Sequence, residues 1–467
     1  MKILKFGGTS LENAGRIDRV TTIIRNLLQS KEQIAVVVSA FGGVTDLLIQ
    51  AAKKAAIGDG RYSELEQQIE DRHVHLIREL ITVQNQSHAL AHIIRQLNDL
   101  HDVLHGVFLV RELSARVLDF IMSFGERLSA FIVAEVLKEK NITAQFLDAR
   151  QLIKTNDRFG QAQVLWPDTL ANIQQYFQKQ NALQVITGFI ASTLKNETTT
   201  LGRSGSDYTA SIIGAALNAQ EIQIWSDVNG VMTADPRQVP EAFTLPRLTY
   251  EEAMELSHFG AQVIHPRTMQ PALDKKIPIR IKNTLNAKHP GTVISAQANA
   301  WPYPIKAISS LDAIALVSVI GSGMIGVTGI AGRIFTALAR EGINIILISQ
   351  ASSEHSICFG VLPASATPAR KALERELKLE LMEKTVNKIQ VENDLSVIAV
   401  VGEKMRRTRG IAGRAFSALG HSGINIVAIA QGSSELNISL VVEQKDLTAA
   451  LQAIHKEFFN LQQETSR

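Results

Sequence analysis

The stretch that most constrains this chain is its beginning. Lys2-Ile3-Leu4-Lys5-Phe6 alternates as a short strand, and Gly7-Gly8-Thr9-Ser10 follows at once. Beyond the turn, Leu11, Ile17, Val20, Ile23, Ile24 and Leu27 recur on one helical stripe. A strand, a glycine turn and a helix form a natural anion cradle. The glycines let backbone come close, the helix start offers unpaired N–H groups, and Lys5 adds a compact charge. The Walker spacing Gly-x4-Gly-Lys-Ser/Thr is absent, so this is not a P-loop. A buried first strand with a plain glycine turn is the alternative reading of the same residues.

The pattern recurs. Gln33–Val38 is a continuous apolar run, as in a strand buried on both faces, and it ends in Ser39-Ala40-Phe41-Gly42-Gly43-Val44-Thr45-Asp46. Residues 59 to 140 read as helical, and the histidines from His73 to His105 are expected on solvated faces. Within that region Ser123-Phe124-Gly125-Glu126-Arg127-Leu128-Ser129 opens a long apolar helix, where Glu126 could simply complement a helix N-terminus. Strand patterns return at Ala144–Leu147 and Leu183–Thr187. A third loop, Thr200-Leu201-Gly202-Arg203-Ser204-Gly205-Ser206-Asp207, leads into a helix. Arg203 there could grip a carboxylate through two parallel bonds or stay solvated. The strand Ile222–Trp225 runs into a fourth loop, Ser226-Asp227-Val228-Asn229-Gly230-Val231-Met232, continuing to Asp235-Pro236-Arg237. Parallel α/β sheets bind ligands beyond the carboxyl ends of their strands, which is where these loops fall.

Composition excludes several classes. A net charge of +3 over 467 residues is too small for a nucleic-acid or membrane-surface argument. The single cysteine, Cys358, allows no internal disulfide and reads as a structural thiol of a reducing, cytoplasmic compartment. No run reaches the roughly 18 apolar residues of a membrane span, and no signal-peptide pattern opens the chain. No Cys/His set has metal spacing.

Past Asn299-Ala300-Trp301-Pro302-Tyr303-Pro304, a proline-punctuated linker, the chain repeats itself. Gly329-Ile330-Ala331-Gly332-Arg333 returns 81 residues later as Gly410-Ile411-Ala412-Gly413-Arg414. The same offset pairs Gly342-Ile343-Asn344 with Gly423-Ile424-Asn425, and Gln350 with Gln431. Each unit reads strand (Ala315–Ile320; Val397–Val401), loop, helix and two strands, which suggests two small α+β modules. Gly321-Ser322-Gly323-Met324-Ile325-Gly326 imitates a dinucleotide fingerprint. The second repeat lacks its later glycines, so that reading is rejected.

Lys-Phe-Gly-Gly-Thr-Ser, Gly-Arg-x-Gly-Ser-Asp and Asp-x-x-Gly-x-x-x-x-Asp-Pro-Arg together resemble the amino-acid kinase superfamily, and within it the aspartate kinases. The resemblance covers nearly the whole chain. It implies an α/β fold with a largely parallel central sheet flanked by helices, over residues 1–298. It also implies ACT regulatory modules at 305–390 and 391–467. The implied reaction is ATP-dependent phosphorylation of the aspartate side chain to 4-phospho-L-aspartate, on the route to lysine, threonine and methionine. Lys5 and Asp207 would be catalytic, with Gly7 and Gly8 at the transferred group. Thr45, Glu126, Arg203 and Ser206 would bind aspartate, and Ser226, Asp227, Met232, Arg237 and Gln262 the nucleotide. Magnesium would ride on the ATP phosphates without a protein metal cage. Two positions depart from the family: Gln262 replaces a lysine and Met232 a tyrosine, which implies weaker nucleotide binding. The repeats look most like the kinase half of the bifunctional aspartokinase–homoserine dehydrogenases, where the residues matching Gln350 and Gln431 bind threonine. The expected effector is therefore threonine rather than lysine, and the expected assembly a homodimer or homotetramer through the ACT modules, with neither nucleic-acid nor membrane partners. The different-class alternative is a non-catalytic amino-acid sensor on a degenerate kinase scaffold.

Overall fold

The computed structural model describes residues 1–260, 264–297, 301–324, 328–350, 355–406 and 408–460. Gln262 lies outside them. The strands of the first part are β1 (Lys2–Phe6), β2 (Ile34–Val38), β3 (Ala144–Leu147), β4 (Lys154–Thr155), β5 (Leu183–Thr187), β6 (Ile190–Thr193), β7 (Thr198–Thr200), β8 (Glu221–Ser226), β9 (Arg247–Thr249), β10 (Ile279–Asn283) and β11 (Thr292–Ser295). The helices are α1 (Ala14–Gln29), α2 (Val44–Ala56), α3 (Tyr62–Leu80), α4 (Val83–Val110), α5 (Ala115–Glu139), α6 (Trp166–Phe177), α7 (Gly205–Ala216), α8 (Tyr250–His258) and α9 (Pro266–Asp274).

The chain divides into two compact units. The first comprises Met1–Val231, Thr244–Tyr250 and Val263–Ala298; the second comprises Met232–Phe243, Glu251–Gln262 and Asn299–Arg467. In the first, eight strands run in the order β3-β5-β2-β1-β8-β10-β11-β9, and only the β10–β11 pairing is antiparallel. β1 is therefore central, and β2 is buried at every residue, as its uninterrupted apolar run requires. A core of fully buried side chains such as Leu4, Phe6, Ile17, Val36, Leu48 and Phe124 joins one sheet face to α1 and the α2–α5 helices. Burying each such side chain is worth about 1.5–3 kcal/mol.

Two expectations for the helices need correction. His73 is not on a solvated face: it is fully buried, its Nδ1 2.6 Å from the Ile69 carbonyl, and burial pushes its pKa down to about 4. Helix α5 begins at Ala115, not near Ser123, so Glu126 sits well inside it. That removes the dipole-complementing role, which fades within the first turn.

The second unit contains β12 (Ala307–Ile320), α10 (Ile330–Arg340), β13 (Leu347–Gln350), β14 (Ser356–Val361), α11 (Pro363–Glu376), α12 (Lys378–Met382), β15 (Lys388–Val401), α13 (Ile411–His421), β16 (Ala428–Gln431), β17 (Asn437–Glu443) and α14 (Leu447–Phe459). The 81-residue offset survives folding: β12 and β15, α10 and α13, and β13 and β16 all begin that far apart. The two βαββα modules share a six-stranded sheet, β13-β14-β12-β15-β17-β16, joined through β12 and β15. All its described pairings are antiparallel, which fits the rejection of a dinucleotide fold. The repeated arginines act alike: Arg333 pairs with Glu376 and Glu380, and Arg414 with Glu457 at 2.7 Å. Cys358 is half-buried and donates to the Ser349 carbonyl. Among the described residues, no helix is long and apolar enough to cross a membrane.

Candidate active site

The loops after β1, β2 and β8 converge because the strand ends are stitched together, while the loop Thr200–Asp207 follows β7 of a separate three-stranded sheet, β4-β6-β7. Lys5 lies in register with Val37 on one side and Ile224 on the other. Where the strands stop, each loop takes a hydrogen bond across to a neighbour. Gly7 N–H donates to the Trp225 carbonyl (3.2 Å), Ser39 N–H to Phe6 (3.1 Å), and Gly188 N–H to Val38 (2.8 Å). The loops after β1, β2, β5 and β8 thus share one edge of the sheet, the carboxyl edge.

Close backbone approach explains three glycines. A Cβ on Gly8 would stand 2.9 Å from the Ala40 carbonyl oxygen. One on Gly125 would stand 2.8 Å from Ala40 Cβ, and one on Gly188 2.5 Å from Ser206 Cβ. Without those hydrogens in place of methyls, neither α5 nor the start of α7 could close on the strand ends. Ser206 consequently lies buried in the first turn of α7, and Thr45 is half-buried in the first turn of α2.

The charged groups follow from this packing. Lys5 Nζ meets Asp207 Oδ1 at 2.6 Å, with both side chains only about a tenth exposed (12% and 10%). The two groups form a close ion pair. The Lys5 ammonium lies beside Gly7, 3.4 Å from where a Cβ would be. Glu126 reaches across from α5, and its Oε1 accepts from Ala40 N–H at 3.1 Å. Its Oε2 has no partner among the described residues. Burial pushes the Glu126 carboxyl up to about 8, against the opposing pull of the Ala40 N–H and of the Lys5 charge. At neutral pH this is therefore a protonated, buried acid.

Arg203 is exposed on the loop before α7, next to Ser204, which takes the left-handed conformation (φ +55°). Its charge is felt at His265, held below its ordinary pKa first by burial and then by Arg203. Ser226 ends β8, its carbonyl accepting from Thr284 N–H at 2.8 Å, and Asp227 follows exposed. Met232 and Arg237 belong to the second unit, where Arg237 folds onto Asp235 at 2.6 Å. Geometry therefore brings Lys5, Gly7, Gly8, Thr45, Glu126, Ser206 and Asp207 to one edge of the first unit, with Arg203, Ser226 and Asp227 on the loops beside them.

Sequence reasoning missed Asp119. This buried carboxylate accepts from Gly160 N–H (2.8 Å), Thr200 N–H (3.0 Å) and the Thr200 hydroxyl (2.7 Å). It anchors the segment that carries Arg203. A signal existed: Asp119 and Glu126 are seven residues apart, two helical turns on one face.

In the second unit a pocket of about 170 Å³ is lined by Met405, Thr408, Gly410, Ile411, Gln431 and Glu435, among others. It opens at the N-terminus of α13, capped by Gly410 (φ +87°). Gln431, exposed at the end of β16, thus lines a cavity, and Gln350 is likewise exposed at the end of β13.

Known proteins share this organisation. The amino acid kinase family model matches residues 1–283, and the ACT domain model matches residues 317–377 and 398–458. The chloroplastic bifunctional aspartokinase/homoserine dehydrogenase 1 of Zea mays is 38% identical over 463 residues, which cover 97% of this chain and 50% of the maize protein. The chain thus spans about half the length of the first curated relatives it matches. The chloroplastic aspartokinase 1 of Arabidopsis thaliana is 34% identical, over 98% of this chain and 80% of that protein. The crystal structure of E. coli aspartokinase III in complex with aspartate and ADP (R-state) has a TM-score of 0.83 at 29% identity, covering 98% of this chain and 100% of that one. Its complex with lysine and aspartate (T-state) has a TM-score of 0.78 at 28% identity, covering 98% and 99%. By sequence, fold and repeat alike, the chain belongs to the amino acid kinase family and, within it, to the aspartokinases.

Proposed function

We propose that the chain is an aspartate kinase that phosphorylates the side-chain carboxylate of L-aspartate with ATP, under feedback from an amino acid bound to its ACT modules. Residues 1–298 carry the reaction, and 305–390 and 391–467 carry regulation. The observation that bears most weight is the Lys5–Asp207 pair, with Glu126 within reach of the Lys5 charge and its Oε2 without a hydrogen-bond partner among the described residues. A cation and a buried acid at one sheet edge suit a phosphoryl donor and a zwitterion. The E. coli structure with aspartate and ADP supports the same pairing of ligands.

In this reading Arg203 grips the substrate α-carboxylate and Glu126 takes its ammonium, losing a proton as it does so. Thr45 and Ser206 line the pocket. Asp207 holds the Lys5 ammonium beside Gly7. Lys5 and the glycine-turn amides then face the three oxygens over which charge spreads as the terminal phosphoryl leaves ADP and bonds to the carboxylate oxygen. Ser226, Asp227, Met232, Arg237 and Gln262 would meet the nucleotide. Among the described residues no group of three or more His, Cys, Asp or Glu is arranged to hold a metal ion. Magnesium would be held chiefly by the nucleotide phosphates.

For regulation, the Gln431 pocket at the α13 N-terminus suits an amino-acid carboxylate, and the amides of Gln350 and Gln431 suit a neutral hydroxyl side chain. Threonine is therefore favoured over lysine, in a cytoplasmic homodimer or homotetramer. The experiment is a hydroxylamine trap with ATP, magnesium and aspartate, repeated with each amino acid. Aspartyl hydroxamate, suppressed by threonine, is expected. Folded protein forming none would overturn the kinase reading, and suppression by lysine alone would overturn the effector assignment.

A further inference from the structure

Helix α3 stands outside the sheet and takes no direct part in the site described above. One of its residues nevertheless touches both glycine turns. Arg72 Nη1 donates to the Gly42 carbonyl at 2.5 Å, and Nη2 donates to the Glu12 carbonyl at 2.9 Å. Gly42 belongs to the loop after β2, and Glu12 closes the turn after β1. The same two turns are joined directly, Gly42 N–H donating to the Gly8 carbonyl at 3.1 Å. The next residue of the helix continues the contact: the buried His73 ring packs on Phe41 at 5.2 Å between centroids.

The direction of these bonds matters. In a trans peptide the C=O and the following N–H point opposite ways. Holding the Gly42 carbonyl on Arg72 therefore turns the Gly43 N–H away from α3. That N–H has no hydrogen-bond partner among the described residues, nor do those of Gly8 and Thr9. Gly43 is itself left-handed (φ +82°), which a glycine adopts without strain. A planar guanidinium with two parallel donors is suited to fixing two carbonyls at a set spacing; a lysine offers its donors from one atom and sets no such spacing.

We propose that Arg72 is a positioning residue for phosphoryl transfer, clamping the two glycine turns so that their free amides face the transferring group at a fixed separation. This rests on the kinase reading, and its test separates the two. Arg72→Ala and Arg72→Lys are made in the full chain. First, hydrogen exchange is followed without ligands. Faster exchange confined to peptides spanning 7–13 and 40–46, with an unchanged melting temperature, is expected for both variants. Unchanged exchange there overturns the clamp whether or not the chain is a kinase. Second, steady-state kinetics are measured. A misplaced donor costs less than a removed one, so kcat is expected to fall about 10–100-fold while the KM for aspartate stays within about twofold. An unaltered kcat, or a loss that tracks only a smaller folded fraction, overturns the positioning role. If Arg72→Ala does not fold, Arg72→Lys supplies both readouts.

Discussion

The raised pKa of Glu126 makes a quantitative prediction. The unliganded carboxyl titrates near 8 because it is buried, its Oε2 unpaired. A substrate ammonium against it would stabilise the ionised form, so binding must expel the proton. At pH 7 about ten in eleven molecules are protonated and at pH 8 about half. Aspartate binding should then release about 0.9 proton at pH 7 and about 0.5 at pH 8. Apparent affinity should improve about fiftyfold between pH 6 and pH 8, a range in which aspartate keeps its own charges. Titration calorimetry in two buffers of different ionisation enthalpy counts the protons directly. Glu126→Gln should bind more weakly and release none at either pH. Stability offers a second readout. The unfolded chain loses this proton near 4.5, whereas the folded one keeps it to about 8. The wild-type chain should therefore lose stability relative to Glu126→Gln as pH rises through that window. No proton release at pH 7, or equal release by the variant, would refute the role given to Glu126.

Three further outcomes are expected. Lys5→Ala should lower turnover at least about 100-fold, since it removes a charge aimed at the transferring group; kinetics with saturating substrates would detect retained activity. Gln262→Lys should lower the KM for ATP, and an unchanged or raised value would count against a nucleotide contact at that position. Gly188→Ala would put a methyl 2.5 Å from Ser206 Cβ, so thermal unfolding should report a loss of about 1–3 kcal/mol and aspartate affinity should fall with it.

The parts of this molecule that repeat or alternate were legible from its residues. The strands Ala144–Leu147 and Leu183–Thr187 stand where their patterns ended, and the 81-residue offset became two matching modules. The long strands of those modules were read too short. β12 begins at Ala307 rather than Ala315, because register shifts between Leu311 and Leu316 break its alternation. β15 begins at Lys388 rather than Val397, its pattern hidden by Glu392-Asn393-Asp394 and a left-handed Asp394. Lys5 and Asp207 could be named from their turns, but not that they would touch, since 202 residues separate them. Arg72, His73 and Asp119 were hidden for a different reason. Arg72 and Asp119 bond backbone in distant loops, and His73 packs on the distant Phe41 ring while bonding within its own helix; such contacts leave no trace in spacing or composition.

A crystal structure of the full chain grown with ADP and aspartate tests the central claim most directly. The account predicts one continuous site, with the nucleotide's terminal phosphate at Lys5 and the turn amides, and aspartate between Glu126 and Arg203. Nucleotide and aspartate in separate cavities, or aspartate with its ammonium turned away from Glu126, would contradict it.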